Sequence, residues 1–473
     1  MNKIIKNPFE NIKLIFRFSI SSWINFIVSI ISSFIFTRLF SPNILGELNL
    51  FTSASSFLMG IFSLGLDSSY LRFYFEIDNK DDRNALLKRI LIICFVIFSI
   101  FSILILLFFD YISVLIFSKS SLILVSMLLI NTLSYLILNF YSISYRLSNN
   151  TKMYTIQNIS VQILTKLGII AFYFFSYDIE IVITSITAIV LIISLLTLYK
   201  NNIFKNTKKS QFRIYSSGFY KYAIYSWPLV FIIHANSFFP QFLIFSNIGT
   251  FELGIFFSVN IIIGALNVLQ SGFRVFWANY MYGNYKEKKD FIYEVHNYVL
   301  FFSAVVFTFV VISKDFFYIL LGPSYQESSN FFSLLVLIPI INLIQETTSY
   351  GTTIYKKTFI NLISNIVILI FSTYLIHLII NTFQLIGVST ILLLSEIIRF
   401  SLATFYGQRY FKTINNSKRS LLIIISMILL AIINSSLINK FDHLYLYNFL
   451  ILFIYFYAFR KELKSLIYKM YVK

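Results

Sequence analysis

Three side chains in one apolar run pose the chemical question. Asn158, Gln162 and Lys166 recur every fourth residue in TIQNISVQILTKLGIIAFYFF, a spacing that lines them up on one face of a helix. A lysine in such a run either meets an anionic group of a ligand or pairs with an acid on another helix. The two amides beside it serve a ligand in the first case and hydrogen-bond a neighbouring helix in the second. Arg38, Arg72 and Arg274 stand at the ends of other apolar runs, where an arginine anchors at an interface or touches substrate. The acids in apolar surroundings are Asp67, Glu346 and Glu396. Glu396 and Arg399, three residues apart, share a helix face and form either a self-neutralising pair or a coupling-ion site. His234 lies between Pro228 and Pro240, and His377 lies in a later run. An imidazole titrates near neutral pH, so each suits proton coupling or plain hydrogen-bonded packing.

Other chemistries leave no trace. There is no HExxH, CxxC, P-loop or GxSxG pattern, so neither an enzyme nor a bound cofactor or metal is expected. The single cysteine, Cys94, rules out a disulfide within the chain. Energy for transport would then come from coupled protons or sodium ions, or from downstream consumption of the substrate.

The elements that position these groups are membrane helices. The 473 residues are 58% hydrophobic and only 12% charged, with mean hydropathy +0.79, against about 25% charged in an ordinary soluble domain. A spanning helix needs about 20 mainly apolar residues. Fourteen runs qualify, near 18–40, 48–71, 90–109, 121–142, 153–175, 181–199, 222–246, 253–276, 291–312, 330–352, 358–380, 384–406, 420–438 and 444–459. With both termini in the cytoplasm, every basic residue falls in an inner loop or flank except Arg38, Lys119, Lys166, Lys314 and Lys440. That bias is the positive-inside rule. It also accounts for the net charge of +18, which faces anionic lipid, so no nucleic-acid partner is needed. Pro228 and Pro240 predict a broken or bent seventh helix.

The second run carries a repeat. SPNILGELNLFTSASSFLMGIFSLGLDSSYLRF has a weaker copy beginning at Ile248, IGTFELGIFFSVNIIIGALNVLQSGFRVFW. Gly46 aligns with Gly254 and Gly65 with Gly272, and each copy ends in an arginine. The repeat glycines are expected to let helices one and two, and seven and eight, approach closely. Matching Gly-interrupted segments in two halves point to a transporter. The expected organisation is an all-α integral membrane protein. Residues 1–199 make an N-terminal six-helix half, 200–221 a basic cytoplasmic linker and 222–411 a second six-helix half. The two halves form a parallel repeat, and 412–473 add two helices and a basic tail.

The motifs ISSFIFTRLFSPNILGELNLFTSASSFLMGIFSLGLDSSYLRFYF, Tyr145-Arg146 and SNIGTFELGIFFSVNII resemble the polysaccharide (O-antigen or capsule repeat-unit) flippases of the multidrug/oligosaccharidyl-lipid/polysaccharide exporter superfamily. The charged pair that usually precedes the helix-eight motif there is missing from PQFLIFSNIG. The resemblance implies a carrier that turns undecaprenyl-diphosphate-linked oligosaccharide from the cytoplasmic to the outer leaflet of the bacterial inner membrane by alternating access. The substrate-facing candidates read from the residues themselves are Lys166, Gln162, Asn158, Arg38, Arg274 and Arg72. Glu346, Glu396, Arg399, His234 and Asp67 are the coupling or gating candidates. Expected partners are the lipid-linked oligosaccharide, membrane lipids and the polymerase and chain-length machinery, around a monomeric carrier. A lipid II flippase and a drug antiporter of the same superfamily are the alternatives. A repeat-unit polymerase fits less well, because no outer loop is large. A drug antiporter that exports cations predicts an acidic site, whereas the deepest charge here is Lys166.

Overall fold

The structure is a computed structural model that describes residues 24–25, 27–77, 79–174, 178–201, 216–285, 289–355, 357, 359–437 and 444–464. The N-terminal basic segment and most of the expected linker 200–221 lie outside these residues. Among the described residues every regular element is helical. Seven helices are long and apolar enough to cross a membrane, and nine spans result if each of two bent helix pairs counts as one. Ile27–Leu39 and Leu444–Ala458 are shorter apolar helices. The chain is therefore a multi-pass membrane protein. It forms two compact units, residues 1–254 and 255–473.

The first unit begins with α1 (Ile27–Leu39) and α2 (Pro42–Phe62). Pro42 opens α2 after an extended Ser41, where its fixed φ suits the first turn and no backbone donor is lost. The chain then breaks. Leu64 and Gly65 take φ of +51° and +68° before α3 (Leu66–Phe73) resumes. A bulky residue in the left-handed region is costly, so the surroundings must hold it there. They do so through α9 (Ser216–Ile248). The Trp227 indole donates to the Ile61 carbonyl beside the break (3.1 Å), which also accepts from the Leu64 N–H. Below the break, the Ser69 hydroxyl donates to the Phe219 carbonyl (2.9 Å). A Cβ on Gly65 would lie 2.8 Å from both Ser226 Oγ and Trp227 N, so α9 presses against bare backbone.

The break falls in the second helix, and α9 runs as one helix with Pro228 and Pro240 inside it. No break forms at the prolines, because a proline removes one hydrogen bond, which a packed membrane helix tolerates. The two successive left-handed residues interrupt the second helix.

The repeat glycines also pack differently from expectation. Gly46 and Gly254 face each other at the starts of α2 and α10 (Thr250–Asn284). A Cβ on Gly46 would lie 3.1 Å from both Gly254 N and the Thr250 carbonyl carbon. One on Gly254 would lie 2.5 Å from the Pro42 carbonyl carbon. Each glycine meets the residue four before its partner, a reciprocal contact of the kind a two-fold relation produces. Thr250 Oγ1 donates to Asn43 Oδ1 (3.0 Å) at its edge. Gly65 and Gly272 do not share this fate: Gly272 has open space where Gly65 has α9. The close approaches thus join the second helix to the seventh and eighth, not the first to the second or the seventh to the eighth.

The rest of the first unit packs around α2 and α3. It comprises α4 (Lys80–Leu107), α5 (Phe109–Phe117), α6 (Leu122–Leu147), α7 (Thr151–Tyr173) and α8 (Ile179–Lys200). Side chains at the preceding turns start them: Asn79, Ser121 and Asp178 accept from the backbone N–H of Asp81, Leu124 and Glu180. The core joins Phe62, Tyr70, Cys94, Leu136 and Phe140, with Phe62 and Phe98 edge to face at 5.1 Å. The opposite face of α4 exposes Ile92, Phe95, Val96, Ile100 and Ile103, which only lipid can cover in a stable protein.

The second unit contains α11 (Lys289–Ile312), α12 (Lys314–Leu320), α13 (Phe332–Thr348), α14 (Tyr350–Ile354), α15 (Phe359–Tyr410), α16 (Ser417–Ile433) and α17 (Leu444–Ala458). A 3-10 segment, Pro323–Asn330, leads into α13 at a 67° bend. The 52 residues of α15 are two helices joined at Gln384, whose φ is +43°, between the runs expected at 358–380 and 384–406. His296 on α11 ties three helices together through Thr347 (2.8 Å) and Ser420 (3.1 Å). Asn434 and Asn448 exchange reciprocal amide bonds of 2.9 and 3.0 Å, which clamp α16 to α17.

Candidate substrate-facing sites

In the first unit the stripe on α7 forms as the spacing requires. Asn158, Gln162 and Lys166 are all half-buried, while Gln157 and Thr165 turn into the packed side. Lys166 is the sixteenth residue of α7, about 22 Å along a helix of about 34 Å. No carboxylate among the described residues lies within salt-bridge distance of it. Its Nζ stands 4.9 Å from the centroid of the Phe36 ring on α1, a cation–π contact that offsets part of the lost hydration. Among the described residues Lys166 is thus not locked to an acid.

Arg38 is exposed in the last turn of α1, two residues beyond Phe36, and Arg72 is exposed in the last turn of α3. Asp67 sits in the first turn of α3, below the left-handed pair, with Oδ1 buried and unpartnered. His234 on α9 shares a hydrogen bond of 3.0 Å with Ser56 on α2. A Cβ on Gly60 would touch His234 Cδ2 at 2.6 Å, so the imidazole lies flat on bare helix.

The second unit gathers four of the named charges. Arg274 Nε donates to Glu346 Oε1 at 2.6 Å, and Gln270 Nε2 donates to the same oxygen at 3.2 Å. One turn earlier on α13, Asn342 Oδ1 accepts from Arg399 Nη2. Arg399 Nε in turn reaches both Glu396 oxygens, at 3.1 and 3.2 Å. Glu346 and Glu396 are thus each neutralised by an arginine. Asn342 and Glu346, four apart on α13, receive guanidinium groups from two different helices. His377 lies on α15 and takes part in none of the ion pairs among the described residues.

Sequence reasoning anticipated the Glu396–Arg399 pair from its spacing. It missed Arg274–Glu346, whose partners are 72 residues apart, and gave His296 no part. Other amides are spent between helices. Asn49 donates to Gln241 (2.9 Å), Asn131 to Ser55 (3.0 Å) and Gln157 to the Leu138 carbonyl (2.8 Å). Glu47 on α2 also went unnoticed, and its Oε2 is buried without a partner.

No protein-family model matches the chain, and no curated protein sequence matches it. Solved structures do. The lipid II flippase MurJ in an inward closed conformation superposes with a TM-score of 0.69 over 96% of this chain and 99% of that one, at 16% identity. The MATE multidrug transporter DinF-BH superposes with 0.61 over 84% and 95%, at 15% identity. An outward-facing MATE family transporter of the MOP superfamily gives 0.59 over the same shares, at 14% identity. The chain therefore has the fold of these MurJ and MATE structures.

Proposed function

We propose that this protein carries an anionic lipid-linked oligosaccharide, an undecaprenyl-diphosphate-linked repeat unit of the O-antigen or capsule type, from the cytoplasmic to the outer leaflet of the bacterial inner membrane. The observation that carries the proposal is Lys166. A half-buried cation with no carboxylate within salt-bridge distance among the described residues calls for an anion from elsewhere. The diphosphate of such a lipid supplies one, and Gln162 and Asn158 stand one and two turns along the same face to meet hydroxyl groups. Arg38, Arg72 and Arg274 add positive charge at the ends of their helices. Protons or sodium ions drive the cycle. The carrier acts as a monomer beside the polymerase and chain-length machinery, with both termini in the cytoplasm. A MATE-like export of cationic compounds gains nothing from an unpaired lysine.

A second substrate within the same class, lipid II, is favoured by one observation: the MurJ fold match spans 96% of the chain, against 84% for the MATE transporters. Complementation separates the two. Expressed in a strain lacking its repeat-unit flippase, the protein restores surface polysaccharide. In a strain depleted of its lipid II flippase, it does not restore growth. The opposite pair of outcomes assigns lipid II, and failure in both refutes the transport of lipid-linked sugars.

A further inference from the structure

The two units match at a place that the glycines do not mark. In the first, α5 follows the long α4 after one residue, Phe108; in the second, α12 follows α11 after Ser313. Asp110-Tyr111 and Val114-Leu115 in α5 stand where Asp315-Phe316 and Ile319-Leu320 stand in α12, at nearly the spacing that separates Gly46 from Gly254. Both helices are too short to span. Nine and seven residues make about 13 and 10 Å of helix, against a bilayer core of about 30 Å. Each is pinned by its inner face. The Ser113 hydroxyl donates to the Lys119 carbonyl (2.6 Å) and accepts from the Ser121 N–H (2.9 Å), and the Phe117 ring packs on Phe51 of α2. In α12 the buried Tyr318 shares a hydrogen bond of 2.7 Å with Ser328 and lies edge to face with Phe332 at 5.8 Å. The acids are occupied too: the Ser120 hydroxyl donates to Asp110, and the Tyr445 hydroxyl donates to Asp315. What each helix turns outward is apolar. Tyr111 and Val114 are 71% and 52% exposed, and Phe316 and Ile319 are 60% and 69% exposed. Each pair is three residues apart and so stands on one side of its helix. These strips continue the exposed apolar sides of the preceding helices, Leu104 and Leu107 on α4 and Phe302 and Phe309 on α11. The lipid that covers those sides reaches the short helices without a gap.

We propose that α5 and α12 are interfacial helices, and that the partner of their outward faces is the lipid surface itself. Each lies in the boundary between headgroups and acyl chains and sets one apolar pair, Tyr111 with Val114 or Phe316 with Ile319, among the chains. Asp110, Lys314, Asp315 and the groups bonded to the two acids stay in the headgroup layer. Both helices lie at the far end of α4 or α11 from the basic turns that carry Arg83 and Lys289, which is the outer leaflet by the positive-inside rule. Each unit is thereby held at a fixed depth by a lipid contact of its own. The proposal does not depend on which substrate is carried.

The test measures the immersion of spin labels on the full-length protein, reconstituted into vesicles of phosphatidylethanolamine and phosphatidylglycerol. Cys94→Ala removes the one native thiol. In that background Tyr111→Cys, Val114→Cys, Phe316→Cys and Ile319→Cys each carry a single nitroxide. Collision of the label with oxygen, which concentrates among acyl chains, is compared with collision with a water-soluble nickel chelate. Val96→Cys, on the exposed face of α4, is the reference for the bilayer interior. Ser120→Cys and Gln326→Cys, at exposed polar positions after each short helix, are the references for water. All four labels should give an oxygen-to-nickel ratio several-fold above the water references and below that of Val96→Cys. A ratio equal to the water references places the pairs in solvent and overturns the proposal. A ratio equal to that of Val96→Cys places them in the bilayer interior and overturns the interfacial position. Labels shielded from both reagents are covered by protein, a second copy of the chain, and this also overturns it. If one variant does not fold, the other member of its pair decides for that helix.

Discussion

At the scale of single residues, the two repeat-matched glycines Gly65 and Gly272 give the sharpest contrast. Gly65 holds φ +68° against the backbone of α9, whereas Gly272 has nothing within contact. A left-handed alanine costs roughly 1–2 kcal/mol before any clash, and here the Cβ also collides with α9. Gly65→Ala should therefore lower stability by more than about 2 kcal/mol, read as a marked drop in unfolding temperature in detergent. Gly272→Ala should be near neutral, because a helical glycine in open space loses nothing by gaining a methyl group. Equal effects would mean that the break between α2 and α3 is not held by α9. The sequence shows why one half of this contrast was legible and the other was not. A glycine announces a backbone that needs freedom, but Leu64, the other left-handed residue, carries no such signal. Lys166 was legible for the opposite reason: its isolation in an apolar run is written in the sequence, and so is the four-residue spacing of Gln162 and Asn158. What the sequence could not show was that no acid among the described residues pairs with it, a fact about other helices.

At the scale of elements, interhelical polar contacts decide which helices move together. The end of the chain illustrates this. Arg419 at the start of α16 binds Glu462 beyond α17, donates to the Ala458 carbonyl (2.5 Å) and stacks over Phe459 (4.0 Å). Burial opposes ionisation of Glu462, but the Arg419 hydrogen bond and the glutamate's own backbone amide outweigh it and hold the carboxyl below its usual 4.5. A carboxylate whose folded-state value is depressed contributes stability that is complete above 4.5 and is lost as pH falls through the lower folded value. The tail after α17 should accordingly become sensitive to proteolysis or hydrogen exchange only on acidification below pH 4.5. Glu462→Gln should make it sensitive at neutral pH already. Loosening in the wild type as pH rises instead would contradict the sign. Element-level pairings of this kind were mostly illegible in the sequence. Glu396–Arg399 is local, and its spacing displayed it. Arg419–Glu462, Arg274–Glu346 and Asn49–Gln241 join residues tens to hundreds of positions apart, and no periodicity encodes such choices. The prolines of α9 misled because a proline signals a lost hydrogen bond, not how the neighbours compensate.

At the scale of the whole molecule, hydropathy and charge carried most of the architecture. Apolar runs were visible because lipid imposes one rule on every span, a length of about 20 apolar residues with internal hydrogen bonds. Gly46 and Gly254 stood out in the sequence as matching glycines, and their reciprocal contact in the first unit leaves no room for a larger residue. Orientation remains to be measured, and the distribution of lysine and arginine makes a definite prediction. A reporter fused at Asn150, in the turn between α6 and α7, should report the cytoplasm. One at Ser328, in the 3-10 segment before α13, should report the opposite side. The reverse assignment would overturn the orientation, and the same side for both would overturn the number of spans between them.

The central claim is that Lys166 meets an anionic substrate, and one comparison tests it most directly. In a flippase-null strain that complementation has shown to be rescued, Lys166→Ala, Lys166→Arg and the wild type are expressed to equal levels in the membrane, and surface polysaccharide is quantified. The account predicts that Lys166→Ala abolishes the polymer, while Lys166→Arg retains much of it because the positive charge survives at the same place on α7. Full surface polymer from Lys166→Ala at normal protein level would contradict it.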